Sequence, residues 1–383
     1  MQKRTLFYSA AIGAMLLCAC ATGTSVAEAP DGEASISITD ISSTSGEQVR
    51  LASDLDYKIL GMPDAITSGN VLLGWPGSGV ATQFEGSQLL ATIDGAPDTY
   101  LDIQINDVQK TVQLTEGRVT YRLIDAMPGT YDVSIRIRTE RPYRPIVFEG
   151  FSTDDGVISA PGRSELQFLV LGDDVATGYG VEGENQFCKY DRETQNANLS
   201  FAVLSATDLK ADAAVIARSG RGLTKNWNND TAPTMVELYK NTMAEGAHSA
   251  LGEMDAVIVQ VGSMDVAQED IQPDFKIAYD NLLTDIRMDH PNAEIVASWG
   301  PMGHGDRYEA GKSAVLDVVA NRKAAGDNRV SFIEFTNTEF GQRYGCNWHP
   351  SADTQRFMAS RLTDHLAERL EIDVDLDELL LGG

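Results

Sequence analysis

Residues 168–180 read Phe168-Leu169-Val170-Leu171-Gly172-Asp173-Asp174-Val175-Ala176-Thr177-Gly178-Tyr179-Gly180, and their reading decides the fold. An unbroken apolar run fits a strand buried on both faces, and the Gly-Asp-Asp after it is a tight turn. Toward the carboxyl end the same rhythm returns. Apolar runs at 166–171, 213–217, 256–261, 295–299 and 330–335 alternate with helical patterns. One pattern sets Phe275, Tyr279, Leu282, Leu283 and Ile286 along a stripe, and another sets Phe357, Met358, Leu362 and Leu366. Buried strands alternating with helices make a parallel sheet covered on both faces, an α/β fold. Chemistry in such sheets collects beyond the carboxyl ends of the strands. The loops after Leu171, Ala217 and Val261 should therefore converge, with the His349 loop brought to the same rim.

Toward the amino end, before Pro161, the period changes to two. Leu101, Ile103 and Ile105 alternate with polar residues, as do Tyr131, Val133, Ile135 and Ile137 with Asp132, Ser134, Arg136 and Arg138 between them. Turn signals at Asp94-Gly95, Glu116-Gly117 and Pro128-Gly129 punctuate these half-buried strands. An all-β sandwich over 48–155 is expected ahead of an α/β domain over 162–372, with an acidic tail at 373–383.

The first residues carry an address. Lys3 and Arg4 precede an apolar stretch from Leu6 to Leu17 that is too short to span a bilayer, the pattern of an export signal over 1–20. Leu17-Cys18-Ala19-Cys20 resembles a bacterial lipobox, which would make Cys20 the lipidated first residue of an outer-membrane, periplasmic or cell-surface protein. Ala19-Cys20-Ala21 also fits a plain secretory cleavage site. Residues 21–47, rich in Ser, Thr, Ala, Gly and acids, read as a flexible tether. With 56 acidic against 30 basic residues the formal charge is -26. Nucleic acids and anionic lipid surfaces are repelled by such a chain, so membrane contact is expected through the N-terminal lipid only. A monomer is expected. Beyond the two cysteines in the signal, Cys188 and Cys346 remain. Cys188 follows the first α/β strand and Cys346 stands just before His349, so a disulfide at the rim is expected, two buried thiols being the alternative.

The four rim loops are Gly172-Asp173-Asp174, Ser219-Gly220-Arg221-Gly222-Leu223, Val261-Gly262-Ser263-Met264-Asp265 and Trp348-His349-Pro350-Ser351. In this order they resemble an SGNH (GDSL-type) hydrolase. With Trp75, Gly77-Ser78, Phe84-Glu85-Gly86-Ser87 and Phe148-Glu149-Gly150-Phe151 ahead of them, the chain is similar to carbohydrate esterase family 2 from about Gln48 to about Ile372. The resemblance implies a jelly-roll domain before a flavodoxin-like catalytic one and removal of acetyl groups from polysaccharides such as xylan and glucomannan. It implies no cofactor, and an acetylated polysaccharide or oligosaccharide as partner.

Its mechanism gives each position a role. A serine where Asp174 stands attacks the acetyl carbonyl, and a histidine matching His349 moves its proton. The oxyanion is held by the nucleophile's amide, an amide matching Gly220, and an asparagine where Met264 stands. A thioether donates nothing to an oxyanion. Losing one such donor costs about 2.7 to 4 kcal/mol, and losing the nucleophile on the order of 10⁶ in turnover. A carboxylate attacking an ester would form a mixed anhydride beside an existing charge, and beside His349 it should favour the imidazolium. Asn347 and Cys346 stand where a third triad member would be sought, leaving a dyad.

Plainer readings sit beside these. Asp173 is a turn aspartate, and Gly220 and Gly222 supply positive φ. His248, His290, His304 and His365 are ordinary surface or helix residues. Trp299 and Trp348 stand at the expected rim, where an indole stacks on a sugar or simply packs. A metal held by Asp173, Asp174, Asp265 and His349 is set aside because hydrolase ancestry explains the spacing. Two function classes remain: an acetyl esterase with an unrecognised nucleophile, and a non-catalytic relative that binds glycan or serves as a surface interaction module.

Overall fold

The computed structural model describes residues 39–40, 50–51, 56–67, 70–140, 144–242, 252–336 and 343–372. The export signal, Cys20, His248 and the acidic tail lie outside the described residues. No helix among the described residues is long and apolar enough to cross a membrane.

Eleven strands form one antiparallel sheet: β1 (Thr39–Asp40), β2 (Arg50–Leu51), β3 (Lys58–Leu60), β4 (Pro63–Thr67), β5 (Asn70–Leu73), β6 (Gly79–Gly95), β7 (Tyr100–Ile105), β8 (Val108–Gln113), β9 (Gly117–Ile137), β10 (Ile146–Thr153) and β11 (Val157–Ser159). The main path runs β4-β5-β10-β6-β9-β7-β8. The two separate sheets expected of a sandwich are not what the hydrogen bonds give. β6 and β9, of 17 and 21 residues, pair along their whole length, with register shifts between Gly86 and Gln88 and between Leu89 and Leu90. Such shifts bend and twist a strand pair, so this one long pair curls around a single core that takes Val80, Phe84, Ile103, Ile135, Phe148 and Phe151. Alternation along a strand reports which face is buried and is blind to how many sheets share that core. Pro128-Gly129, expected as a turn, lies inside β9. Residues 39–40, expected in the tether, pair with Tyr121 and Arg122, since backbone pairing at an edge needs no apolar side chain.

The parallel sheet has five strands, β12 (Gln167–Gly172), β13 (Asp212–Ala217), β14 (Ala256–Gln260), β15 (Glu294–Trp299) and β16 (Val330–Glu334), in the order β13-β12-β14-β15-β16. Both faces are covered. Leu169 and Leu171 join the core beneath helices Phe275–Asp289 and Gly305–Ala324, while Phe168 and Val170 join the one beneath Phe201–Asp208 and Ala352–Leu370. The stripe Phe275, Tyr279, Leu282, Leu283, Ile286 is buried throughout. Phe357 departs from its stripe and is 38% exposed, while Met358, one residue on, turns inward. Because β12 has its successor on one side and β14 on the other, the direction of winding reverses at its carboxyl end. This is where a crevice opens in doubly wound sheets.

Candidate active site

The chain leaves β12 through Gly172 and turns at Asp173 and Asp174. Asp173 is buried. It accepts from Ser263 Oγ at 2.5 Å and from the Val175 amide at 3.3 Å. Burial, with Asp174 alongside, pushes its carboxyl up to about 7. Asp174 is 7% exposed. Its carbonyl accepts from Thr177 Oγ1 at 2.9 Å and from the Tyr179 amide at 3.1 Å. Its Oδ1 accepts from the Gly220 amide at 3.2 Å and stands 3.9 Å from His349 Nε2. Its Oδ2 is enclosed without a hydrogen-bond partner. A carboxylate thus occupies the spot where the resemblance places an attacking hydroxyl.

His349 is oriented by backbone alone. Its Nδ1 faces the carbonyl oxygens of Asn347 at 3.0 Å and Cys346 at 3.3 Å. Carbonyls only accept, so Nδ1 carries the hydrogen and Nε2 keeps its lone pair toward Asp174. Those two carbonyls do the orienting that an acid performs in a triad. Burial lowers the His349 pKa from the ordinary 6.5, against the opposing pull of Asp174 and the backbone carbonyls. The imidazolium expected from the sequence is therefore corrected: the cost of burying a cation outweighs the neighbouring charge, and the ring is a neutral base. Tyr179 packs against it at 4.3 Å between centroids and is itself stacked on Tyr190.

The neighbouring loops are held by polar residues with no periodic signature. Asp265 accepts from the amides of Leu223, Thr224 and Lys225 and from Thr224 Oγ1. Its oxygens are committed to that loop. Among the described residues no group of three His, Cys, Asp or Glu is arranged to hold a metal. Gly220, at φ +74, takes a left-handed conformation that strains any residue with a Cβ. The antiparallel sheet contributes as well: past the end of β9, the Glu140 carboxylate accepts from the Ser219 amide at 3.0 Å.

A cavity of about 760 Å³ opens over this rim, lined by Asp174, Tyr179, Ser219, Gly220, Trp227, Ser263, Met264, His304, Tyr308 and His349 among others. Asp174, Gly220, Met264 and His349 are thus brought together. Trp299 is corrected: it is 2% exposed, packs edge-on to Phe275, and its indole donates to the Tyr308 carbonyl. Trp348 is 52% exposed beside the cavity, with Phe187 and Tyr344 edge-on to it. The tryptophan that lines the cavity is Trp227, 51% exposed, whose amide donates to Gly220 O. His304, read as ordinary, also lines it. His290 is buried, and His365 meets Ser331 Oγ at 2.9 Å.

Cys188 and Cys346 are bonded, with 4.7 Å between Cα atoms and a sequence separation of 158. The bridge pins the turn that carries His349. Replacing both cysteines by serine should lower unfolding free energy by about 2 to 5 kcal/mol, measured in urea. An unchanged midpoint would show the bridge to be thermodynamically silent.

The ordered loops, with an antiparallel sheet feeding into their rim, can be set against known proteins. Residues 64–161 match the family described as Carbohydrate esterase 2 N-terminal. The chain is 28% identical over 311 residues to the cellulase/esterase CelE of Acetivibrio thermocellus, covering 77% of this chain and 37% of that protein. It is similar to the family 2 carbohydrate esterases. An acetylxylan esterase / glucomannan deacetylase of Cellvibrio japonicus is 25% identical over 315 residues, covering 77% of this chain and 85% of its own length. Among solved structures, a family two carbohydrate esterase from Clostridium thermocellum in complex with cellohexaose superposes with a TM-score of 0.78 at 27% identity, covering 83% of this chain and all of the other. The chain spans little more than a third of the length of CelE.

Proposed function

We propose that this chain keeps the carbohydrate-facing cleft of its relatives without their serine chemistry. The observation that carries the reading is the 3.2 Å hydrogen bond from the Gly220 amide to Asp174 Oδ1. An amide that would serve a developing oxyanion is already held by a carboxylate. The nucleophile position offers no hydroxyl to the neutral His349, and Met264 offers no donor. Aspartate attack on an acetyl ester would build a second negative oxygen beside the first. The carbohydrate class follows from the relatives, which are named for acetylxylan, glucomannan and cellohexaose. A net charge of -26 suits a neutral polysaccharide rather than a polyanion.

The test is acetate release from acetylated xylan and glucomannan by purified protein. The expected result is none above a heat-inactivated control. Release that persists in Asp174→Ala would overturn the reading and demand another nucleophile. Export with lipidation at Cys20 belongs to the same reading of a surface-tethered binder. Cys20→Ser should move the protein from the membrane fraction to the soluble one, and wild-type protein already soluble after export would exclude the anchor.

A further inference from the structure

We infer that the Asp174 side chain is a built-in occupant of the acetyl subsite, so that the cleft selects carbohydrate whose hydroxyls are free of acetyl groups. This rests on the reading of the cleft as a carbohydrate site. Beyond its Cα an aspartate is CH₂–COO⁻, the atoms of an acetate anion. Here that tethered carboxylate places Oδ1 on the Gly220 amide and 3.9 Å from His349 Nε2, contacts that an acetyl oxygen entering the cleft would need. It has little room to withdraw. Thr177 Oγ1 and the Tyr179 amide both hold the Asp174 carbonyl, and the residue is 93% buried by its 7% exposure.

The hydrogen-bonding character of the cavity floor then decides what fits. Asp174 Oδ1 keeps a second lone pair beside its bond from the Gly220 amide, His349 Nε2 presents a lone pair, and the Met264 thioether only accepts. All three seek donors. An acetyl ester entering this space brings two more acceptors and needs the amide that Oδ1 already holds. A sugar hydroxyl brings a proton that Asp174 Oδ1 or His349 Nε2 can receive. Sites built to pair with a hydroxyl discriminate strongly against ligands that lack it, because their own buried polar groups are then left unpaired. The wild-type cleft thus favours the deacetylated product over the acetylated substrate.

The experiment titrates the full chain calorimetrically with O-acetylated glucomannan oligosaccharides and with the same sample after mild alkaline deacetylation. Wild type should bind the deacetylated oligosaccharides at least about tenfold more tightly. Asp174→Ala, which empties the subsite, should lose or reverse that preference, its folding checked by circular dichroism. If Asp174→Ala does not fold, the wild-type comparison still decides. Equal affinity for the two samples, or an unchanged preference in Asp174→Ala, overturns the selectivity while leaving a carbohydrate cleft in place. Binding of neither sample overturns both.

Discussion

Asp174→Ser with Met264→Asn should raise acetyl esterase activity above that of the wild type, giving a slow enzyme, and His349→Ala in that background should abolish the gain. The parts left in place explain the expectation. His349 is a neutral base with its Nδ1 hydrogen fixed on the carbonyls of Asn347 and Cys346, so a serine at 174 meets a correctly protonated partner. Removing the carboxylate also frees the Gly220 amide. Asp174→Ser alone should give a trace. Adding Met264→Asn restores a donor worth about 2.7 to 4 kcal/mol, or roughly 10² to 10³ in turnover. The two effects act on one transition state and need not add. Removing Asp174 also removes a charge that raises the His349 pKa, so the acid limb of kcat/KM should lie below the ordinary 6.5. Initial rates on a chromogenic acetate ester across pH measure all of this. A double variant no faster than wild type, or a gain that survives His349→Ala, would defeat the account.

How much of this was legible in the sequence depends on whether a residue's role is periodic or singular. The parallel sheet was legible because strands buried on both faces read as unbroken apolar runs, and the Phe275 to Ile286 stripe because a helix repeats its contacts every 3.6 residues. The rim loops were legible because their order is distinctive. Counting sheets in the β region was not, since β6 and β9 are long enough to run through what looks like two layers. Trp299 could not be told from a sugar-stacking residue: it ends a strand at the rim, and only the packing of Gly311 and Phe275 against it shows it to be interior, while Trp227 lies outside the four rim loops and was passed over. The protonation of His349 was misjudged because sequence shows the neighbouring charge and hides the burial. Arg138, Glu140 and Gln195 were invisible as site residues, being single polar groups far from any motif.

Arg138 shows what such a singular residue carries, and its removal should be among the most damaging single changes in the chain. It stands just past β9 with its guanidinium 10% exposed. Nε donates to Gln195 O at 3.1 Å, Nη2 to Glu193 O at 3.0 Å and Nη1 to Thr111 Oγ1 at 3.1 Å, and it pairs with Asp102 at 3.6 Å and with Glu182. The segment it holds supports the Asp174 loop: Gln195 Nε2 donates to Thr177 O at 3.2 Å and the Asn196 amide to Gly178 O at 3.1 Å. Arg138→Ala would leave buried carbonyls and the Asp102 carboxylate short of donors, with an expected loss of about 3 to 5 kcal/mol. Arg138→Lys should recover little, because one ammonium cannot span acceptors that a planar fork reaches at once. Asp102→Asn in the Arg138→Ala background should return part of the loss by removing the stranded charge. Urea unfolding followed by tryptophan fluorescence gives these differences. A loss below about 1 kcal/mol for Arg138→Ala would place it with the exposed ion pairs of little consequence and leave the support of the Asp174 loop to the Gln195 and Asn196 hydrogen bonds alone.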